Sequence, residues 1–505
     1  MNTLSLAPAV MATSAGGGML IAAVVVPVIG ILVLWLIRYR DIETFGIAVL
    51  AINLAITAMA LWRIATSGVP LVYLIGGWAP PLGLALRAGG VAAVFMVMAA
   101  LVLFVTGLYA RGCFGAVAGA VEQRRPMIFW TMLLAIAAAL NLIFTGEDLF
   151  NLYVALELLT FAAVPLVCLD GSRDTMTAAL RYLVFALAGS VLYLLGVAMI
   201  YGAYGTLDLA LLSRARGADG ALLLAIGLMT AGLAAKTALF PLHLWLPPAH
   251  AGAPPAASAV LSALVVKGSF FLTLRLWFDL LPRDLAMPGA GLLGVLGAAA
   301  IIVGSAVALR QARLKLLVAY STVAQLGYLF LVFPLGLGGG AAPLAGVALT
   351  AGAMQLMAHA FAKAAMFMAA GIIYEVIGHD RIDGFSGLGR IAPVTVLTMT
   401  LASISLMGLP PSGGFSAKWM MLTAALGEGA WWWAIVIAIG GLLAAGYVFR
   451  ILVPAFGPPD GPILRKKPIA PLREAAALSL AVLAILIGFL PLSPWSILAV
   501  GRILP

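Results

Sequence analysis

The sequence predicts an all-α polytopic membrane protein, a single domain over 1–505 of about fourteen transmembrane helices. Two observations carry this. The 505-residue chain is 64% hydrophobic and 9% charged, against about 25% charge in soluble domains. Its apolar residues also gather in runs of about twenty, the length that crosses a bilayer core, and these runs leave no stretch for a soluble domain. A net charge of +10 without a clustered basic segment points to basic loops on the cytoplasmic side, not to nucleic acid.

The expected spans lie near 17–37, 44–64, 86–110, 127–145, 149–168, 176–202, 220–245, 256–280, 288–309, 315–334, 344–377, 392–426, 431–455 and 472–499. The N-terminal MNTLSLAPAVMATSAGGG has no basic start and reads as an uncleaved leader into the first span. Lys and Arg divide roughly 17 to 7 between odd and even loops. The odd loops are therefore expected in the cytoplasm of a cell (inner) membrane protein, with both termini outside. Trp431, Trp432 and Trp433 read as an interfacial belt.

Two spans are interrupted. The seventh carries Pro241 and is closed by Pro247-Pro248, and the twelfth holds Pro410, Pro411, Gly413 and Gly414 in its middle. Proline removes a helical hydrogen bond, and bare backbone at membrane depth persists only against protein or water. Lys236 precedes the first break and Lys418 follows the second. That reversal suits two inverted five-helix repeats, spans 4–8 (about 127–281) and 9–13 (about 288–456). The eleventh span is long enough that a kink is expected near Gly352 or Lys363.

Lys236, Lys267, Lys363 and Lys418 are the basic residues that stand deep in apolar stretches, and none is an arginine. A buried lysine can lose its proton where arginine keeps it. Such residues mark proton pathways. Glu157 is the one acid in the middle of a span. It fits either a structural ion pair with Lys236 or a proton acceptor coupled to it. Lys267 is followed by Gly268 and Ser269, which leave room for water or for close helix approach. His359 and Lys363 stand four apart, on one helix face; a packed core histidine is the other reading of His359. His243 and His250 flank Trp245 without a third ligand, so no metal site is expected. Ser262, Ser269, Ser321, Thr322, Gln325 and Ser416 read first as helix–helix hydrogen bonds that also hold water. His379, Asp380, Arg381 and Asp383 share one loop, read as solvated or as a proton intake. No nucleotide, flavin, haem or iron–sulfur pattern is present, so no cofactor is expected.

NLYVALELLT, AAKTALFPLHLWLPPAHAGAPPAASAVLSALVVKG, LKLLVAYSTVAQLGY, LMAHAFAKAAMFMAAG and MGLPPSGGFSAKW together resemble the antiporter-like subunit family. Mrp cation/proton antiporters, respiratory complex I and membrane-bound hydrogenases share that family. The resemblance covers much of about 128–425. It implies fourteen spans with inverted repeats, a coupled pair at Glu157 and Lys236, bridging positions at Lys267 and at Lys363 or His359, and a last lysine at Lys418. That last lysine resembles the D-type member of the Mrp cation/proton antiporters, with the complex I-like and hydrogenase subunits as the alternative. The implied partners are other integral membrane subunits, the bilayer, protons and Na⁺ or K⁺. The chain departs from the family at Ala88-Gly89, where an acid is common, at Pro248 in place of an acid, at Arg313 in place of an acid, and at Ser262 in place of a histidine.

Overall fold

The computed structural model describes residues 12–36, 41–114, 124–215, 220–338, 342–459, 466–490 and 493–501. Most of the leader, together with Arg38, Arg40, Arg216, Arg465 and Arg502, lies outside the described residues.

The chain is a bundle of helices. The first six are α1 (Gly18–Leu34), α2 (Ile42–Ser67), α3 (Gly90–Ala110), α4 (Arg124–Thr145), α5 (Leu149–Val167) and α6 (Arg173–Tyr204). Then come the short α7 (Leu209–Ala215), α8 (Gly220–Thr237), α9 (Leu246–Gly252), α10 (Pro255–Val260) and α11 (Val266–Arg275). The second half holds α12 (Arg283–Leu309), α13 (Leu314–Phe330), α14 (Val332–Leu337) and α15 (Ala342–Ile377). It ends with α16 (Leu388–Ile391), α17 (Pro393–Met407), α18 (Gly413–Gly427), α19 (Trp431–Phe456) and α20 (Pro471–Leu486). Among the described residues, 12 helical segments are long and apolar enough to cross a membrane. The shorter apolar helices Gly18–Leu34 and Pro393–Met407 occupy the two remaining expected positions.

The segments differ in what they bury. The windows of Pro255–Leu280 and Leu344–Ile377 are each 94% buried, against 33% for Ile42–Ser67. The helices that carry the central lysines therefore form the core, and the flanking ones present apolar side chains outward. Local chemistry sets the boundaries. Asp148 caps α5 by accepting from the Phe150 and Asn151 amides, Ser172 caps α6, and Ser412 caps α18.

Pro27 inside α1 cannot donate to the Ala23 carbonyl one turn back. Two asparagines take over: Asn53 Nδ2 of α2 donates to that oxygen at 2.8 Å, and Asn141 Nδ2 of α4 at 2.9 Å.

Several expectations are refined or corrected. The helical fold expected from the sequence also carries one short hairpin, β1 (Leu71–Leu74) paired antiparallel with β2 (Ala85–Ala88) between α2 and α3. Arg87 Nη2 donates to the Gly501 carbonyl at 2.7 Å, tying this hairpin to the C-terminal segment. Ala88-Gly89 has a steric reason, because side chains at Gly89 and Gly90 would collide with the carbonyls of Val500 and Ile497. The eleventh expected span is one continuous helix, α15, which runs 36 residues without interruption. Gly352 serves packing there, with its α-carbon face against Val332. Pro247-Pro248 do not close a helix but open α9, where proline's missing N–H is tolerated. Trp431 and Trp432 face outward, whereas Trp433 is buried.

The loop expected to be solvated or to be a proton intake is partly a clamp. Asp380 is buried and holds Arg313 Nε at 3.0 Å, and its carbonyl accepts the Leu314 amide at 2.7 Å. The basic residue at 313 thus has its acid 67 positions away. Arg381 and Asp383 of the same loop are exposed and paired at 2.7 Å.

Candidate functional site

α8 stops at Thr237, and Ala238 takes a φ of 57° before the cis Phe240–Pro241 peptide. The carbonyls left at this end are not bare. The Trp245 indole folds back to donate to the Ala235 carbonyl at 2.9 Å, and its ring stacks on Tyr182 at 4.3 Å. The break therefore presents Lys236, on the last turn of α8, to a fixed wall formed by α5 and α6.

Lys236 Nζ lies 3.0 Å from Glu157 Oε1 and 2.9 Å from Thr160 Oγ1. Ser190 of α6 also donates to Glu157. Glu157 and Thr160 stand three apart and share one face of α5. The next residue along α8, Thr237, donates through Oγ1 to Ser269 Oγ of α11 at 2.8 Å, so a polar contact links the first lysine's turn to the helix of the second.

Lys267 is fully buried. The preceding turn, Leu261–Val265, is π-helical, a wider turn frequent at functional positions. Lys267 Nζ donates to the Ser262 carbonyl of that turn. Ser262 Oγ meets Thr322 Oγ1 of α13 at 2.9 Å, a helix–helix hydrogen bond. Gly268 lies against Leu159 and Ile143, so of its two expected uses it serves close helix approach. His250 Nδ1 pairs with the Leu246 carbonyl at 2.9 Å, and its ring lies 6.2 Å from Phe367. His243 stacks on Phe240 with Nδ1 unpartnered.

Lys363 Nζ donates to the Val318 carbonyl at 3.0 Å and to Ser321 Oγ, both on α13. One turn earlier on α15, His359 is buried with neither ring nitrogen paired to protein. A buried polar group in that condition calls for water or a transient partner, which is not the environment of a satisfied core histidine.

Lys418 of α18 reaches back across the second break. Its Nζ donates to the Leu406 carbonyl at 2.7 Å and contacts that of Met407 at 3.3 Å, the last carbonyls of α17. A cation at a helix C-terminus meets the negative end of the helix dipole. The Tyr328 ring lies beneath the amine at 4.4 Å. Gln325 Nε2 donates to the same Leu406 oxygen at 3.1 Å and is within 3.3 Å of the Tyr447 hydroxyl. Gln355 Nε2 donates to Gln325 Oε1 at 3.0 Å. Pro410 and Pro411, joined by a cis peptide, occupy the break between the half-helices.

Among these four lysines Lys236 alone has a carboxylate partner; the other three amines rest on carbonyl or hydroxyl oxygens. Such oxygens accept from a neutral amine as well as from an ammonium, so each site can change protonation while keeping a hydrogen bond.

Reading the sequence did not single out Thr160, Ser190 or Thr237. The spacing of Thr160 from Glu157 was the available signal. It also missed a buried group in which Arg275 donates to Glu147 Oε1 at 2.8 Å, to Asp279 Oδ2 at 3.0 Å and to the Gly146 carbonyl at 2.8 Å. Arg275 and Asp279 are four apart on one helix, which was visible in sequence; Glu147 is 128 positions away and was not.

A bundle of apolar helices with two interrupted members and amines buried at the breaks defines an antiporter-like membrane subunit. The chain belongs to the family described as NADH:quinone oxidoreductase/Mrp antiporter, TM, whose profile matches residues 146–444. It is 35% identical to the NADH-quinone oxidoreductase N subunit of Desulforudis audaxviator, over 85% of this chain and 84% of that protein. It is 28% identical to the D component of the Na⁺/H⁺ antiporter of Bacillus subtilis, over 82% of this chain and 81% of that protein. A chain of the membrane-bound sulfane sulfur reductase, an archaeal respiratory membrane complex, superposes with a TM-score of 0.83 at 28% identity, covering 96% of each.

Proposed function

We propose that this chain translocates protons as one subunit of a multisubunit complex in the cell (inner) membrane. The observation that carries the reading is the Glu157–Lys236 pair at 3.0 Å beside a broken helix. From it the other buried amines follow in order through Lys267, His359 with Lys363, and Lys418. Charge arriving near Glu157 draws that carboxylate from Lys236 and frees its proton for the bridging positions. The proton leaves beside Lys418. Each charge moved against 100 mV needs about 2.3 kcal/mol, which a partner reaction supplies. The two inverted repeats, 127–281 and 288–456, serve as the two halves of this route, with the termini on the outer side.

Two host complexes have support. Lys418 as the last relay residue resembles the D-type member of the Mrp antiporters, in which Na⁺ or K⁺ exchanges for protons. The 35% identity to an oxidoreductase N subunit favours the second reading, a proton-pumping subunit of a complex I-like oxidoreductase whose redox chemistry lies on other chains.

The test is driven proton uptake by vesicles holding the assembled complex with Lys236→Ala or Glu157→Ala. Both variants are expected to assemble and to lose most transport. Full transport in either would remove the mechanism. Purifying the native complex and identifying its subunits separates the two hosts.

A further inference from the structure

A cavity of about 140 Å³ lies at the end of the bundle where β2, the 146–148 connection, the last turns of the eighth span and the C-terminal segment meet. It is distant in sequence from the residues of either helix break. Its charged lining is Arg87, Glu147, Arg275 and Asp279. Its volume has room for several waters, each of which takes about 30 Å³ in the liquid.

The two arginines and two acids balance in charge, so the site neither concentrates a cation nor traps an anion. It is polar enough to wet. Glu147 is 2% exposed, and its Oε1 is held by Arg275, but its Oε2 is buried without a partner. A buried carboxylate oxygen left open beside a water-sized cavity calls for a water as its partner.

The apolar lining includes a closed aromatic group. Phe95, Phe144 and Phe271 pack edge-on or tilted, with centroids 6.0, 5.1 and 5.6 Å apart. Phe271 follows Lys267 by one helical turn on the same face, a rise of about 6 Å. The aromatic cluster thus lines the cavity one helical turn from the second buried lysine. Rings that close a narrow passage stop water by dewetting it.

We propose that this cavity is an outward water vestibule for Lys267, gated by Phe95, Phe144 and Phe271, with Glu147 as its proton acceptor. The proposal rests on the proton-translocating reading above and adds a second portal to it, in the first half of the chain. Lys267 now leans toward the Ser262 carbonyl, away from the vestibule. Its flexible side chain swings the ammonium toward Phe271 when the rings part. The proton passes from Lys267 Nζ to vestibule water, then to Glu147 Oε2, then to the outer solution. Lys267 remains as the neutral amine, which Lys236 reloads. Arg275 positions Glu147 by holding its other oxygen.

The experiment uses vesicles carrying the assembled complex and reads both driven proton translocation and passive proton leak. Glu147→Gln, nearly isosteric, is expected to lower driven translocation about tenfold, a change of roughly 1.4 kcal/mol in barrier. Phe271→Ala is expected to raise passive leak, and Lys267→Met added to it is expected to abolish the leak. As a check on folding and access, Leu274→Cys in a Cys113→Ser, Cys168→Ser background is labelled from the outer side by a membrane-impermeant maleimide. The proposal is overturned if Glu147→Gln and Phe271→Ala both behave as wild type while Lys236→Ala is inactive. It is overturned also if the leak persists without Lys267, or if Leu274→Cys stays unlabelled. Should Lys236→Ala transport fully, the underlying proton-relay reading fails first, which marks the two failures apart.

Discussion

Adding one methyl group at Gly408 is expected to disable Lys418 without touching it chemically. Gly408 ends α17 with a φ of 82°, a left-handed conformation that penalises an L side chain by roughly 1–2 kcal/mol. A Cβ built there lies 2.7 Å from Lys418 Cδ, so the lysine must move. Moving it surrenders the hydrogen bond to the Leu406 carbonyl at 2.7 Å, of the charge-assisted kind worth about 1.5–3 kcal/mol. The lost hydrogen bond, which is independent of the backbone penalty, sets about 1.5–3 kcal/mol against the present pose, or about one to two decades in its population. Gly408→Ala should therefore lower driven proton translocation by the assembled complex at least about tenfold. A double-mutant cycle isolates the cause. In a Lys418→Ala background the clash partner is gone, so Gly408→Ala should add only the backbone cost to thermal stability and nothing further to transport. Wild-type transport in Gly408→Ala would refute the reasoning. A strictly additive stability cycle would refute the contact with Lys418.

Three other outcomes follow from the structure. Asn53→Ala and Asn141→Ala should each lower the thermal midpoint of the solubilised complex only slightly, at about 0.6 kcal/mol per intramembrane hydrogen bond. The double variant should lose more than the sum, because it strands the Ala23 carbonyl. Gln325→Leu should slow proton translocation while assembly persists, since it removes the link between Gln355 and the Leu406 carbonyl; an unchanged rate would exclude that link from the route. In the connection between α6 and α7, burial pushes the Asp208 carboxyl up to about 6 from an ordinary value near 3.9. The folded form binds that proton more tightly than the unfolded one, so this contribution favours the fold at low pH and is lost as pH rises from about 4 through about 6. Hydrogen-exchange protection over α7, taken relative to the intrinsic rate at each pH, should therefore fall across that window in the wild type. Asp208→Asn, which keeps an acceptor for the Leu211 amide that Asp208 now holds at 2.9 Å, should flatten the response.

What was readable in the sequence was what membranes make rare. Apolar runs give the helices, and a lysine within one stands out because so few charges share its surroundings. The broken seventh and twelfth spans were readable for the same reason, since proline and glycine punctuate otherwise uniform helices. Details that turn on angles or on distant contacts were not. The π turn Leu261–Val265 beside Lys267 leaves no compositional mark, because its residues are ordinary helix formers. Gly352 resembles a hinge but serves the approach of Val332. Pro247-Pro248 resemble a stop, yet proline fits the first turn of a helix equally well. The partners of Arg313 and Arg275, Asp380 and Glu147, lie 67 and 128 positions away. No local pattern brings such pairs together.

Pro27 also has a consequence for the order in which the chain enters the membrane. α1 carries a carbonyl at Ala23 that its own helix cannot satisfy. Its first donor arrives with Asn53, one span later, and its second with Asn141, two spans after that. Alone in lipid, α1 holds an exposed polar oxygen. Paired with α2 it does not, so these two helices form the smallest unit that leaves the insertion machinery without that burden. The arrival of α4 then fastens the pair to the rest of the bundle. A residue usually counted as a helix fault here times the assembly of the N-terminal third.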